Sequence, residues 1–259
     1  MQIITLTTDW QTQDFYIGAV KGMIYASCPD TTVVDLAHQI PPFNLRHAAY
    51  IIRNAYRHFP PGTIHIISVL SHSNTSSHAP LLVINNNHFF ILSDSGLVSL
   101  MFPDTPGAVY KVKKHKKDST FPVLDDYIPL AAALITGEKP EKLGELTDTY
   151  LEVTPVRAAI EESVITGSVI HIDSYRNAIT NIQKKLFERI GKKRSFLIFP
   201  GSNHYQITRI SKGYHEIDPG DIFAVFNSLD LLEIGIYQGN AAELLGLNIH
   251  SAIRVKFKD

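Results

Sequence analysis

The stretch Ile3-Ile4-Thr5-Leu6-Thr7-Thr8-Asp9-Trp10-Gln11-Thr12-Gln13-Asp14-Phe15-Tyr16-Ile17-Gly18 decides how this chain is read. Its first half is a β-branched, apolar run, which predicts a buried strand. Asp9 closes that run and points into the crevice at the strand's carboxyl end, where open α/β sheets hold their ligands. Asp14 follows just before a predicted helix near Phe15 and is expected to cap it. Two carboxylates at one strand-to-helix corner suit a ribose diol or a cationic ligand. They do not suit a phosphate, and no Gly-rich loop follows to hold one.

Working outward, Ala19, Val20, Met23 and Ile24 fall at helical spacing and predict a helix over 15–27, broken by Pro29-Asp30. A second strand is expected over 32–36. After Pro41-Pro42, Asn44 is placed to cap a helix over 45–58. Pro60-Pro61-Gly62 ends that helix, and 63–69 reads as a third strand. Leu81 to Ile84 and His88 to Leu92 predict a hairpin over Asn85-Asn86-Asn87. A further helix is expected over 127–136, closed by Gly137. This alternation predicts a mainly parallel α/β sandwich domain over 1–155, covered on both faces. Beyond it, short strands are expected over 164–173, 194–198, 205–209, 222–226, 231–236 and 253–257. The stretch 179–190 reads as an excursion with a short helix. Residues 156–259 thus predict a smaller all-β barrel domain.

The composition is that of an ordinary globular protein: 259 residues, 44% hydrophobic, 19% charged, net charge -1. That balance gives no basic field for nucleic acid or an anionic membrane. The basic run from Lys111 to Lys117 is expected to be a solvated loop. A single cysteine, Cys28, excludes an intramolecular disulfide framework and a cysteine-rich zinc site. No apolar run approaches the ~18 residues that span a bilayer. No leader-like segment precedes the first strand, so the expected location is cytoplasmic.

Two further segments are dense in polar groups between apolar flanks. In the first, a strand delivers Asp173 into a turn with Tyr175, Asn177 and Asn181. Such residues also satisfy their own backbone in turns. In the second, Asn227-Ser228 precedes Glu233, which stands inside an otherwise apolar strand and needs a partner if buried. The small residues from Gly239 to Ala242 then allow a flat ring to approach the backbone. Twelve histidines are present without metal-ligand spacing. His72 and His78 sit in a polar loop with Ser73, and no Gly-x-Ser-x-Gly elbow appears.

These segments, in this order, resemble the S-adenosylmethionine (SAM) hydroxide adenosyltransferase family, the adenosine-forming SAM hydrolases. Fluorinating and chlorinating adenosyltransferases belong to the same superfamily. The resemblance is carried by Thr7-Thr8-Asp9 with Asp14 and Lys21-Gly22, by the Val34 to Pro41 stretch, and by Phe59 to His65. It continues through Ser93-Asp94-Ser95-Gly96-Leu97, Asp173 to Ile182, Asn227-Ser228 and Leu232-Glu233-Ile234. It implies SAM or adenosine as the ligand, no separate cofactor and no metal. It also implies a homotrimer, with the ligand between the first domain of one subunit and the second domain of its neighbour. By the family pattern Asp9 bonds the ribose diol, Asp14 and Asp173 face the methionine end, and Asn177 lies near the nucleoside. Phe43 packs against the ligand, Asn227, Ser228 and Ala241 meet the adenine, and Phe121 and Glu233 complete the ligand-side set.

The chain departs from that pattern where the family activates water with an Asp, an Arg and a His. Leu70, Ser77 and Pro122 occupy the matching positions. General-base help to water contributes ~100- to 10,000-fold. His72, Ser73 and His78 are the candidates to supply it or, for Ser73, to face a halide instead. The expectation is slow SAM hydrolysis. The alternatives are a binding-only pseudoenzyme and transfer to another nucleophile such as a halide.

Overall fold

Along β1 (Gln2–Thr8), Ile4 and Leu6 are fully buried on one face of a seven-stranded sheet, while Thr5 and Thr7 are buried on the other. The chain then runs through α1 (Tyr16–Ser27), β2 (Thr31–Ala37) and α2 (Leu45–Ala55) to β3 (Ile64–Ser68). Next come β4 (Pro80–Asn85), β5 (His88–Ser93), α3 (Leu97–Met101) and β6 (Ala108–Val112). A π-helical turn (Val123–Tyr127) leads into α4 (Ile128–Ile135), α5 (Pro140–Leu143) and β7 (Gly144–Leu146). This is a computed structural model; it describes residues 2–71, 80–112 and 119–258. They form two compact units, Met1–Pro155 and Val156–Asp259.

The first sheet has the order β2-β1-β3-β5-β4-β6-β7. Pairing is parallel from β2 to β5 and antiparallel from β5 to β7. Both faces are apolar, which explains why its strands read as near-continuous hydrophobic runs. Ile66 packs with α1 and α4 residues such as Val20, Ile24 and Leu130, whereas its neighbour Ile67 packs with Ala48, Ile52 and Leu97 of α2 and α3. Each such buried side chain contributes ~1.5–3 kcal/mol relative to exposure.

Local chemistry sets the boundaries. Asn44 accepts the His47 N–H and caps α2, as its position predicts. Asn86 and Asn87 both adopt positive φ, 49° and 62°, the requirement of a tight two-residue hairpin. Gly137, at φ 88°, follows α4. The expected capping role of Asp14 is not found. Phe15 is the N-cap of α1 and makes no side-chain cap bond, while Asp14 lies exposed in a turn closed by its own N–H to Gln11 O.

The second unit is an antiparallel sheet curled into a half-barrel. It contains β8 (Ala159–Glu161), β9 (Val164–Ile172), β10 (Ala178–Gln183), α6 (Lys184–Gly191), β11 (Phe196–Pro200), β12 (Ile222–Phe226), β13 (Leu231–Ile236), α7 (Ala241–Leu244) and β14 (Ala252–Phe257). The strand order is β11-β14-β9-β10-β13-β12, with β8 on β9. Two details differ from expectation. Residues 178–183 form a central strand rather than an excursion, because Thr180 is buried with its hydroxyl on Leu232 O and Asn181 accepts the Ser168 N–H. The stretch 205–209 is not a strand and contributes only the Ile207–Ile198 bridge.

Candidate functional site

In the first unit, Asp9 leaves β1 with its N–H on Ser68 O at the end of β3. Its Oδ2 accepts the N–H of Phe43 at 3.2 Å and of Leu70 at 3.4 Å. Both donors belong to residues in the left-handed region, Phe43 at φ 64° and Leu70 at φ 52°. For non-glycine residues that conformation is sparsely populated and strained. One carboxylate therefore steadies the loops after β2 and β3 where they meet at the carboxyl end of the sheet. Among the described residues nothing bonds Oδ1. Phe43 stands 68% exposed beside it, so the corner offers a carboxylate oxygen and an aromatic face together.

Two groupings here escaped the sequence reading. Trp10, Tyr16 and Phe121 pack as an aromatic cluster, with Phe121 edge-on to Trp10 at 5.3 Å and to Tyr16 at 5.4 Å. Phe121 is the only member the family pattern marks. The second is a polar chain at the ends of β1 and β2. The Thr8 hydroxyl pairs with His38 Nδ1 at 2.8 Å. His38 Nε2 lies 3.0 Å from Asp35 Oδ1, without hydrogen-bond alignment. Lys21 Nζ donates to Asp35 Oδ2 at 2.7 Å. Burial alone would raise the Asp35 carboxyl, but the Lys21 bond and the adjacent His38 ring outweigh that and hold it below the ordinary range. The signal in the sequence was the i, i+3 spacing of Asp35 and His38.

In the second unit, Asp173 ends the β9 hairpin arm and folds the 173–177 turn. Its Oδ1 accepts the Asn177 N–H at 2.8 Å. The centre of this region is Glu233, 3% exposed on β13. Its Oε1 accepts from Asn177 Nδ2 at 3.1 Å and from the Tyr214 hydroxyl at 2.8 Å, and its Oε2 accepts from Asn227 Nδ2 at 3.1 Å. Burial, then the adjacent Glu233 carboxylate, push the Tyr214 phenol above its ordinary value. Asn227 is further used by the N–H groups of Leu229 and Leu231, both on its Oδ1. Its side chain thus serves the hub and the β12–β13 turn. Ser228 is exposed. Ala241 has no exposed side chain, but it is the first residue of α7 and, among the described residues, its N–H has no acceptor. Asp9 and Phe43 are thus brought together in one unit, and Asp173, Asn177, Asn227 and Glu233 in the other. Tyr214, far along the chain between Gly213 and His215, gave no sequence signal.

Leu70 stands beside Asp9, where its carbonyl accepts the Ser93 hydroxyl at 2.9 Å. Pro122 precedes the π-helical turn. Ser77 and the candidates His72, Ser73 and His78 lie outside the described residues, as does most of the Lys111 to Lys117 run. Among the described residues, no three or more His, Cys, Asp or Glu side chains gather to hold a metal ion. No described helix is long and apolar enough to cross a membrane.

An α/β unit with a carboxylate at its strand ends, followed by an antiparallel β unit with a buried amide–carboxylate hub, defines a class of two-unit proteins. Within that class, the chain belongs to the SAM hydroxide adenosyltransferase family: the family's N-terminal domain matches residues 4–144 and its C-terminal domain residues 167–254. The chain is 27% identical to the (R)-S-adenosyl-L-methionine hydrolase of Methanocaldococcus jannaschii, over 98% of this chain and 96% of that protein. It is also 27% identical to the enzyme of that name from Thermus thermophilus, over 98% of this chain and 100% of the relative. The crystal structure of an uncharacterized conserved protein from Thermotoga maritima superposes with a TM-score of 0.87, covering 98% of this chain and 99% of that one at 24% identity, which shows the fold.

Proposed function

We propose that this protein binds S-adenosylmethionine and cleaves it with water to adenosine and methionine. The observation that carries this reading is Asp9, whose Oδ2 holds two loops while Oδ1 has no described partner, beside exposed Phe43. A carboxylate oxygen of this kind accepts both hydroxyls of a ribose diol. Carboxylates and aromatic faces also favour a sulfonium cation. In the step, the C5′–S bond breaks and its electron pair leaves with sulfur as the neutral thioether of methionine. A water oxygen forms the new C5′–O bond, and one proton passes to solvent or a base. The leaving group needs no general acid. Positioning and exclusion of bulk water supply the larger part of the acceleration.

Asp14 and Asp173 are proposed to face the cationic methionine end, Asn177 and the Ala241 N–H the base. We also propose a homotrimer in which each unit supplies part of the ligand's complement to a neighbouring copy, a cytoplasmic location, and no additional cofactor. Exposed Phe15, Phe43 and Tyr175 support self-association. Leu70 and Pro122 favour a second reading, a binding-only sensor, because neither side chain can activate water. The test is incubation of purified protein with SAM, with and without chloride. Adenosine and methionine in equal amounts support hydrolysis. A chlorinated nucleoside would indicate a halide transferase, and unchanged SAM with measurable binding would indicate the sensor.

A further inference from the structure

Glu233 is buried with three side-chain donors on it and, among the described residues, no cation. A carboxylate only accepts, so the Asn177 amide must turn its NH2 toward it. The orientation of Asn177 is therefore set by chemistry. Its other end, Oδ1, accepts from no described residue. That oxygen lies over Gly235, where a Cβ would collide with both Asn177 Oδ1 and the Phe223 ring.

We propose that Glu233 is a positioning residue that sets the base specificity of the site through Asn177, making Asn177 present an acceptor and so select a 6-amino purine over a 6-oxo purine. This rests on the nucleoside reading above. The amino group of adenine is the donor on its Watson–Crick edge; hypoxanthine offers an oxygen there, which would face the Asn177 oxygen. Sites that hydrogen-bond a polar group reject analogues that leave the buried partner unpaired.

The hub also determines what Glu233→Gln would do. Glutamine has one acceptor and one NH2 for three donors. Placing the NH2 toward Asn227 would force that amide to rotate and abandon the Leu229 and Leu231 N–H groups. Placing it at the Oε1 position is less disruptive: the Tyr214 hydroxyl turns to accept, and Asn177 rotates. Asn177 would then present NH2 to the base.

Calorimetric titration of adenosine and inosine into the unaltered protein and into E233Q reads this directly. The expected result is adenosine bound at least tenfold more tightly than inosine by the unaltered protein, with that ratio falling at least tenfold in E233Q. A merely structural role would weaken both nucleosides alike. Equal binding of the two by the unaltered protein, or an unchanged ratio in E233Q, overturns the inference and leaves the nucleoside reading standing. Binding of neither removes both. Should E233Q fail to fold, the Asn177 side-chain amide protons of the unaltered protein decide: slow solvent exchange supports the bond to Glu233, and exchange at the free rate overturns it.

Discussion

At the residue scale, Asp9 holds two loops with Oδ2 and is proposed to meet the ligand with Oδ1. Asp9→Ala would leave two left-handed residues without their acceptor and remove the proposed ribose contact. Adenosine affinity is expected to fall at least tenfold, since a hydrogen bond to a charged group contributes ~1.5–3 kcal/mol. Calorimetry with Asp9→Ala checks this, and an unchanged affinity would rule out the ribose contact. The place of Asp9 at the end of a buried strand was legible because the β-branched run before it predicts one. The division of labour between its oxygens was not, because Phe43 and Leu70 reach it only through the folded ends of β2 and β3. Glu233 was legible as a buried charge needing a partner, while the partners themselves lie in the 173–177 turn, the β12–β13 turn and the Tyr214 turn. Its side chain carries all three of them, and its proposed role toward the ligand runs through Asn177.

At the scale of elements, local signals and cross-strand satisfaction gave different degrees of legibility. The Asn44 cap and the Asn86-Asn87 turn are readable from nearest neighbours. Asn44→Ala is expected to lower stability by ~1 kcal/mol, read as a lower urea midpoint at unchanged slope. Strand β10 was obscured because Thr180 and Asn181 look like loop residues until Leu232 and Ser168 are placed across from them. Asp14 looked like a cap because its type and spacing fit, yet the 11–14 turn closes through backbone and leaves its carboxylate exposed. Strand β13 carries a tight constraint. Gly235→Ala is expected to displace Phe223 and Asn177 and to cost ~1–3 kcal/mol in thermal unfolding, with adenosine affinity falling alongside.

At the scale of the molecule, the first unit holds a titratable feature apart from the hydrogen bonds of the Asp9 corner. Thr5 pairs with His65 Nδ1 at 2.7 Å, and His65 Nε2 lies 3.2 Å from His88 Nδ1. Tyr56 and Phe90 enclose the rings. Burial, with a smaller contribution from His88, lowers His65 to about 3. The folded protein keeps this ring neutral while the unfolded chain takes up a proton below ~6.5. Stability from this group is therefore complete above pH ~6.5 and is lost as the pH falls toward 3, by up to ~1.4 kcal/mol per pH unit. Urea midpoints measured from pH 7 to pH 4 should fall accordingly, and His65→Phe should flatten that slope. The two-unit division was visible in the change from alternating strands and helices to short strands after Pro155, because a parallel sheet buried on both faces and an antiparallel half-barrel impose different periodicities.

Titration of adenosine into the unaltered protein is the most direct test of a nucleoside site in this chain. Saturable heat at one nucleoside per chain is the predicted result, with SAM competing for the same site. No heat from either compound, at concentrations well above the physiological range for such ligands, would contradict it.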